Sequence, residues 1–349
     1  MPLSMRFFLL AIAFFGMSLT AKALAKNTAP HYALADTLPL PGSTRWDYLA
    51  FDASTHHLFI TRGDSVDVMD TNSKKIIGTI PNLDGVHGVA LATDLKKGFI
   101  TEGKANKVDI FDLETLKILT KVSTGKKPDA AVYDPQTHYV FAADGDSGDL
   151  TAIDAAKGAV IATIKLDGKP EFAVVDGRGK LYVNLEDKSQ IAVVDTKALK
   201  LAARYDLAPT CDSPTGLAID RKTRHLFAAC SNKIMPVVDA DTGTIIDTVA
   251  IGDHSDAAAF DDKAGLAFSS NGEGSLTVIG LNSAGHYDVV ETVETKPTAR
   301  TMALDPQTHT VYLAAAETEG FEPPDEKHPE PRAHIKPDTF MIVTVTATP

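Results

Sequence analysis

The sequence predicts an all-β fold, a seven-bladed β-propeller of four-stranded antiparallel blades, on three observations. A unit of about 42 residues recurs along the chain, each copy reads as four short strands joined by turn residues, and helical periodicity is hard to find. The stretch from Asp129 to Gly168 shows the unit complete: strand AAVYD, turn PQTH, strand YVFAAD, connection GDSGD, strand LTAID, turn AAKG and strand AVIATIKL. Such a meander has two apolar faces and needs neighbours of its own kind to cover them.

The chain opens on a segment that should not enter the fold. Met1 to Arg6 is basic, Phe7 to Thr20 is apolar, and Ala23-Leu24-Ala25 is a small-residue cleavage pattern. About 14 apolar residues fall short of the ~20 that a membrane span needs. Residues 1–25 therefore read as a secretory signal cleaved after Ala25, leaving 26–349 as one propeller domain in the periplasm or outside the cell. Removing Arg6 and Lys22, with no acids, takes the formal charge from -12 to -14. An acidic chain is poorly suited to nonspecific binding of nucleic acid, which depends on cations neutralising phosphates.

The copies then follow in order: Trp46 to Gly85, His87 to Gly125, Asp129 to Gly168, Glu171 to Ala208, Thr215 to Gly252 and Asp256 to Thr295. A seventh begins at Arg300 with RTMALDPQTHTVYLAAAE and resumes at Thr339 with TFMIVTVTA. Their alignment makes Asp47, His87, Asp129, Glu171, Thr215, Asp256 and Arg300 equivalent. The last copy lacks a fourth strand, and HYALADTLPLPG, His31 to Gly42, resembles the fourth strands of the others. The N-terminal strand is expected to complete the seventh blade and close the ring, which removes the open edges. The aspartates ending the third strands (Asp70, Asp112, Asp154, Asp195 and Asp239, with Gly280 in the sixth copy) read as turn-formers that bond backbone amides two residues on.

The second-strand motif LYVN at Leu181 to Asn184, its variants LFIT, GFIT and VFAA, and third strands such as IAVVDT and VDIFDL resemble the YVTN-repeat, YncE-like propeller family. The resemblance covers nearly the whole chain after the leader and implies a secreted or periplasmic seven-bladed scaffold. It says little of activity, because the repeat motif is mainly packing. The WD and GH signatures of WD40 repeats are absent.

In this topology the starts of the innermost strands form a ring at one mouth of the central channel. Asp47, Asp129, Glu171 and Asp256, with His87, Arg300 and Thr215, should line that mouth, flanked by Arg45 and His254. The expected site is a polar, acidic cup for a small polar ligand or another envelope protein, or for a divalent cation held by Asp47, His87, Asp129, Glu171 and Asp256. The alternative is a wet rim whose acids are hydrogen-bonded to backbone amides. Like charges crowded in a funnel cost energy unless a cation or Arg45 and Arg300 compensate them.

At the second-strand exits, Arg62, Glu102, Asp144 and Glu186 are each expected as solvated loop charges that extend the acidic rim. Cys211 and Cys230 flank neighbouring strands on the ring side, and a disulfide is expected between them. The insertion Glu317 to Asp338 carries prolines that rule out regular structure over most of its length, and it brings His328 and His334 to the ring face as either a lid or a solvated loop.

Motifs for haem attachment (C-x-x-C-H), zinc proteases (H-E-x-x-H), nucleophile elbows and phosphate loops are absent. A single tryptophan disfavours a quinone-cofactor propeller. The leading expectation is a noncatalytic, monomeric binding scaffold. The alternative, carried by the placement of acids in related propellers, is a metal-dependent, lactonase-like hydrolase using the same carboxylates. A nucleic-acid or envelope-polymer binder is the third.

Overall fold

A computed structural model gives the fold and describes Met1 and residues 30–42, 45–322 and 332–348. The rest of the expected leader, and His328, lie outside them. Seven four-stranded antiparallel sheets form the blades among the described residues, with only two 3-10 turns, Thr93–Leu95 and Glu186–Lys188, as helix. The third blade illustrates the order: Pro128–Asp134 innermost, then Tyr139–Asp144, Asp149–Asp154 and Ala159–Lys165 outermost. The seventh blade is built from both ends of the chain. Thr301–Asp305, Thr310–Ala315 and Met341–Thr348 supply three strands, and His31–Pro39 pairs antiparallel with the last, from His31 opposite Thr348 to Pro39 opposite Met341. Tyr32 anchors this strand: it is buried and packs edge-on against Phe268 of the sixth blade at 5.1 Å.

Burial explains the repeat motif. Its aromatic position holds Phe59, Phe99, Phe141, Tyr182, Phe227, Phe268 and Tyr312, all buried in the blades and their junctions. Sheets that present alternate apolar faces stack only if such large side chains fill the gap between them. The last motif position does something else. Thr101 donates to the carbonyl of Asp129, Asn184 to that of Thr215 and Ser270 to that of Arg300. Each bond ties a second strand to the ring residue of the next blade.

Two sets of aspartates shape the turns. Asp70, Asp112, Asp154, Asp195 and Asp239 accept backbone N–H bonds from residues two or three positions on. A second, equally periodic set closes the first turn of six blades: Asp52, Asp134, Asp176, Asp220, Asp261 and Asp305, all buried and each bonded to a backbone amide in its turn. His309 of blade seven reaches Asp261 of blade six at 2.6 Å, and Arg224 of blade five reaches Asp176 of blade four at 2.8 Å. The same carboxylates thus hold turn and neighbour together.

Three second-strand exits depart from the expectation of solvated charges. Arg62 is buried, pairs with Asp67 at 3.1 Å, donates to the carbonyl of Leu40 and lies 4.1 Å over the Phe340 ring, clasping the closing strand to blade one. Glu102 and Asp144 are fully covered and bond Lys107 and Thr151. Each position ends its strand beneath the chain that leads into its own blade, where the Leu40 carbonyl accepts from Arg62, Asp84 N donates to Glu102 and a Cβ on Gly125 would stand 2.8 Å from that of Asp144, so all three are desolvated where a free loop would be wet. The prolines of the insertion do not prevent its ends from pairing, as Thr318–Glu322 and Arg332–Ile335 form a two-stranded ribbon.

Candidate functional site at the channel mouth

A β-bulge at the start of five inner strands builds the site. The register breaks between Val86 and Val89, Pro128 and Ala131, Pro170 and Ala173, Pro214 and Leu217, and Ser255 and Ala257. Those breaks fall on His87, Asp129, Glu171, Thr215 and Asp256. A bulge inserts a residue outside the ladder and re-aims its side chain. The bulge takes His87, Asp129, Glu171 and Asp256 out of the ladder while the strand itself stays paired.

Their immediate successors decide how open the channel is. Five of the seven are small (Gly88, Ala130, Gly216, Ala257 and Thr301), and two are aromatic, Tyr48 and Phe172. Gly216 must be glycine, since a Cβ there would stand 2.5 Å from the backbone of Ala257 and Ala258. Tyr48 reaches from blade one across the channel to blade four, packs edge-on against Phe172 at 5.1 Å and donates to Glu171 Oε1 at 2.9 Å. It is 5% exposed. The tyrosine floors the mouth, so the acids above it lie in a cup.

Within the cup, Asp47, His87 and Asp129 converge. His87 Nδ1 lies 2.6 Å from Asp47 Oδ2 and 3.4 Å from Asp129 Oδ1, and one ligand atom from each of the three falls within 4.8 Å of the others. On the other side Arg300 Nε stands 3.1 Å from Asp256 Oδ2. Burial, reinforced by the Asp47 carboxylate, pushes Asp129 up to about 7. Burial and the charges of Asp129 and Asp256 hold Glu171 well above the carboxylate range. Asp256 is raised as well, by burial and Asp47 against the pull of Arg300. Burial works against a charged His87, but the hydrogen bond to Asp47 and the Asp129 charge raise it overall. Carboxylates that resist ionisation beside one another are the mark of a site short of positive charge.

Not every expected residue joins the cup. Thr215 donates to the carbonyl of Ser255, bridging blades. The His254 ring is exposed beside Asp253 at 3.9 Å. Arg45 lays its stem over Gly63, whose Cβ would meet it at 2.9 Å. His334 contacts Glu319 at 3.0 Å within the ribbon. Glu186 pairs with Lys169, a residue the sequence reading passed over. Lys169 and Lys127 stand two residues before ring positions, as Arg45 and His254 do, and their charges act on the cup acids. Equivalence to Arg45 was the available signal. The Cys211–Cys230 disulfide is present, with Cα atoms 5.5 Å apart, and pins the loop leading into blade five.

No family model matches the sequence. Over 148 residues the chain is 28% identical to the uncharacterized protein YncE of Salmonella typhi, a match that covers 40% of this chain and 42% of that protein. YncE of Salmonella typhimurium strain LT2 matches to the same extent. The matched segment thus spans less than half the length of these curated relatives. Among solved structures, a chain in the crystal structure of the mitotic checkpoint complex superposes with a TM-score of 0.72 at 14% identity, over 88% of this chain and 96% of its own. At that identity the likeness concerns the fold alone.

Proposed function

We propose that this YncE-like seven-bladed β-propeller is an exported binding scaffold that holds a divalent cation in the channel-mouth cup, through Asp47, His87 and Asp129. The observation that carries the reading is the convergence of one imidazole and two carboxylates with their ligand atoms within 4.8 Å of one another. Ligands around a small divalent ion at 2.0–2.2 Å sit roughly 3–3.5 Å apart, so the set needs only slight adjustment. An imidazole among carboxylates suits Zn²⁺, Mn²⁺ or Fe²⁺ better than Ca²⁺, which takes oxygen ligands. A bound cation would also supply the charge that Asp129, Glu171 and Asp256 lack. The disulfide suits an oxidising compartment such as the periplasm.

Titration calorimetry with Zn²⁺, Mn²⁺ and Ca²⁺ tests the reading. One site per chain is expected, with Zn²⁺ or Mn²⁺ preferred and affinity lost on Asp129→Asn. Absence of saturable binding by the wild type, or equal binding by the variant, would end it. Turnover of a lactone by the loaded protein, lost in the same variant, would extend the scaffold to a hydrolase.

A further inference from the structure

A second recess opens at the mouth face between blades two and three, beside the cup. It is an open recess of about 420 Å³, lined by His87, Gly103, Lys104, Asn106, Lys126, Lys127 and Asp146. Its charge is opposite to that of the surrounding protein. Three lysines face one carboxylate in a chain of formal charge -12. Among the described residues none of these three ammonium groups comes within 4.0 Å of a carboxylate, whereas nearby Lys107, Lys165 and Lys169 each have such a partner.

The lysines stand on backbone that is held in place. Lys127 N donates to Asn106 Oδ1 at 2.8 Å and Lys126 N to Ser147 Oγ at 2.9 Å. Gly145 N and Asp146 N return bonds to the carbonyls of Lys127 and Lys126. Lys127 is thereby kept at a φ of 54°, in the left-handed region that non-glycine residues seldom occupy. The stem of Lys104 lies over Gly85, where a Cβ would meet its Cγ at 2.7 Å. With its Oδ1 occupied by Lys127 N, the Asn106 amide has N–H donors left to offer. At the inner wall, His87 gives Nδ1 to the cup and turns its Nε2 edge to Gly103, whose Cβ would meet that edge at 2.7 Å. Unpaired ammonium groups on fixed backbone around a small recess are a receptor for an anion.

We propose that this recess binds a small molecule bearing a carboxylate or phosphate, held by Lys104, Lys126 and Lys127 with the Asn106 amide. The volume admits a metabolite and lies near the lower end of small-ligand sites. The site does not depend on the cation reading, although it shares the His87 wall.

Titration calorimetry of the wild-type protein with inorganic phosphate and with citrate, in low-salt buffer without other multivalent anions, tests it. One saturable site is expected, for which the two anions compete, and the tighter of them identifies the group recognised. The triple variant Lys104→Ala, Lys126→Ala and Lys127→Ala should weaken it tenfold or more, while Lys222→Ala with Lys263→Ala, on exposed lysines elsewhere, leaves it unchanged. The triple variant should still unfold in one cooperative thermal transition without ligand, and Lys127→Arg should keep most of the affinity. Asp129→Asn, which is expected to abolish cation binding, should leave anion binding in place, so the two sites fail separately. The proposal is overturned if neither anion saturates below about 10 mM, or if the triple variant binds as the wild type does.

Discussion

Replacing Asp129 by Asn should make the protein more stable at pH 8 and leave its stability at pH 4 nearly unchanged. Asp129 is 9% exposed, and its carboxyl shifts from an ordinary 3.8 to about 7, because burial and the Asp47 charge disfavour its ionised form. An acid raised in the folded state binds more protons there than in the unfolded chain. It therefore contributes stability that is fully present below its unfolded value and lost as pH rises through the folded one. The window runs from about pH 4 to pH 7. With roughly 1.4 kcal/mol per pH unit, ionising Asp129 in the folded cup costs on the order of 2–4 kcal/mol. Asparagine keeps the shape and cannot ionise, so the difference between variant and wild type should grow across that window by this amount. The assay is urea unfolding from pH 4 to pH 8 in the presence of chelator. Asp144, also pushed to about 7 by burial, adds a slope of its own, but it is common to both proteins and cancels in the difference. Parallel profiles, or a variant less stable than wild type at pH 8, would refute the claim that the cup lacks positive charge. Adding Zn²⁺ or Mn²⁺ at pH 8 should close the gap by stabilising the wild type alone, through mass action on the folded state.

Two other outcomes test the frame that carries the cup. Tyr32→Ala removes a buried ring that ties the closing strand to Phe268, and it should cost about 3–5 kcal/mol by urea unfolding; a loss under about 1 kcal/mol would mean that the N-terminal strand does not lock the ring. Cys211→Ser with Cys230→Ser opens a loop of sequence separation 19, with an expected loss of about 3 kcal/mol, and an unchanged denaturation midpoint would contradict it.

The fold was legible because it is written seven times. A strand pattern that is ambiguous once becomes unambiguous when Asp47, His87, Asp129 and their equivalents return at a steady spacing, and the spare strand at His31 then had only one place to go. The same spacing named the ring residues. It could not give their depth, since burial comes from the blade next door. Arg62, Glu102 and Asp144 look like loop charges along the chain and are covered in three dimensions. Nor did it show that Tyr48 crosses the channel, because Tyr48 and Phe172 meet only once blades one and four face each other. The second aspartate series, from Asp52 to Asp305, is as periodic as the first and lies equally open in the sequence, at the ends of the first strands. The bulges explain the rest: a ladder break at Pro128 or Pro170 leaves no composition signal beyond the proline itself.

The most direct test of the cation cup is a crystal of the wild-type protein grown with Mn²⁺ and measured for anomalous scattering. The account predicts one peak among the His87 imidazole and the carboxylates of Asp47 and Asp129, with the 2.6 Å contact between His87 and Asp47 replaced by bonds to the ion. A map with no peak at the channel mouth, and that contact intact at saturating Mn²⁺, would contradict it.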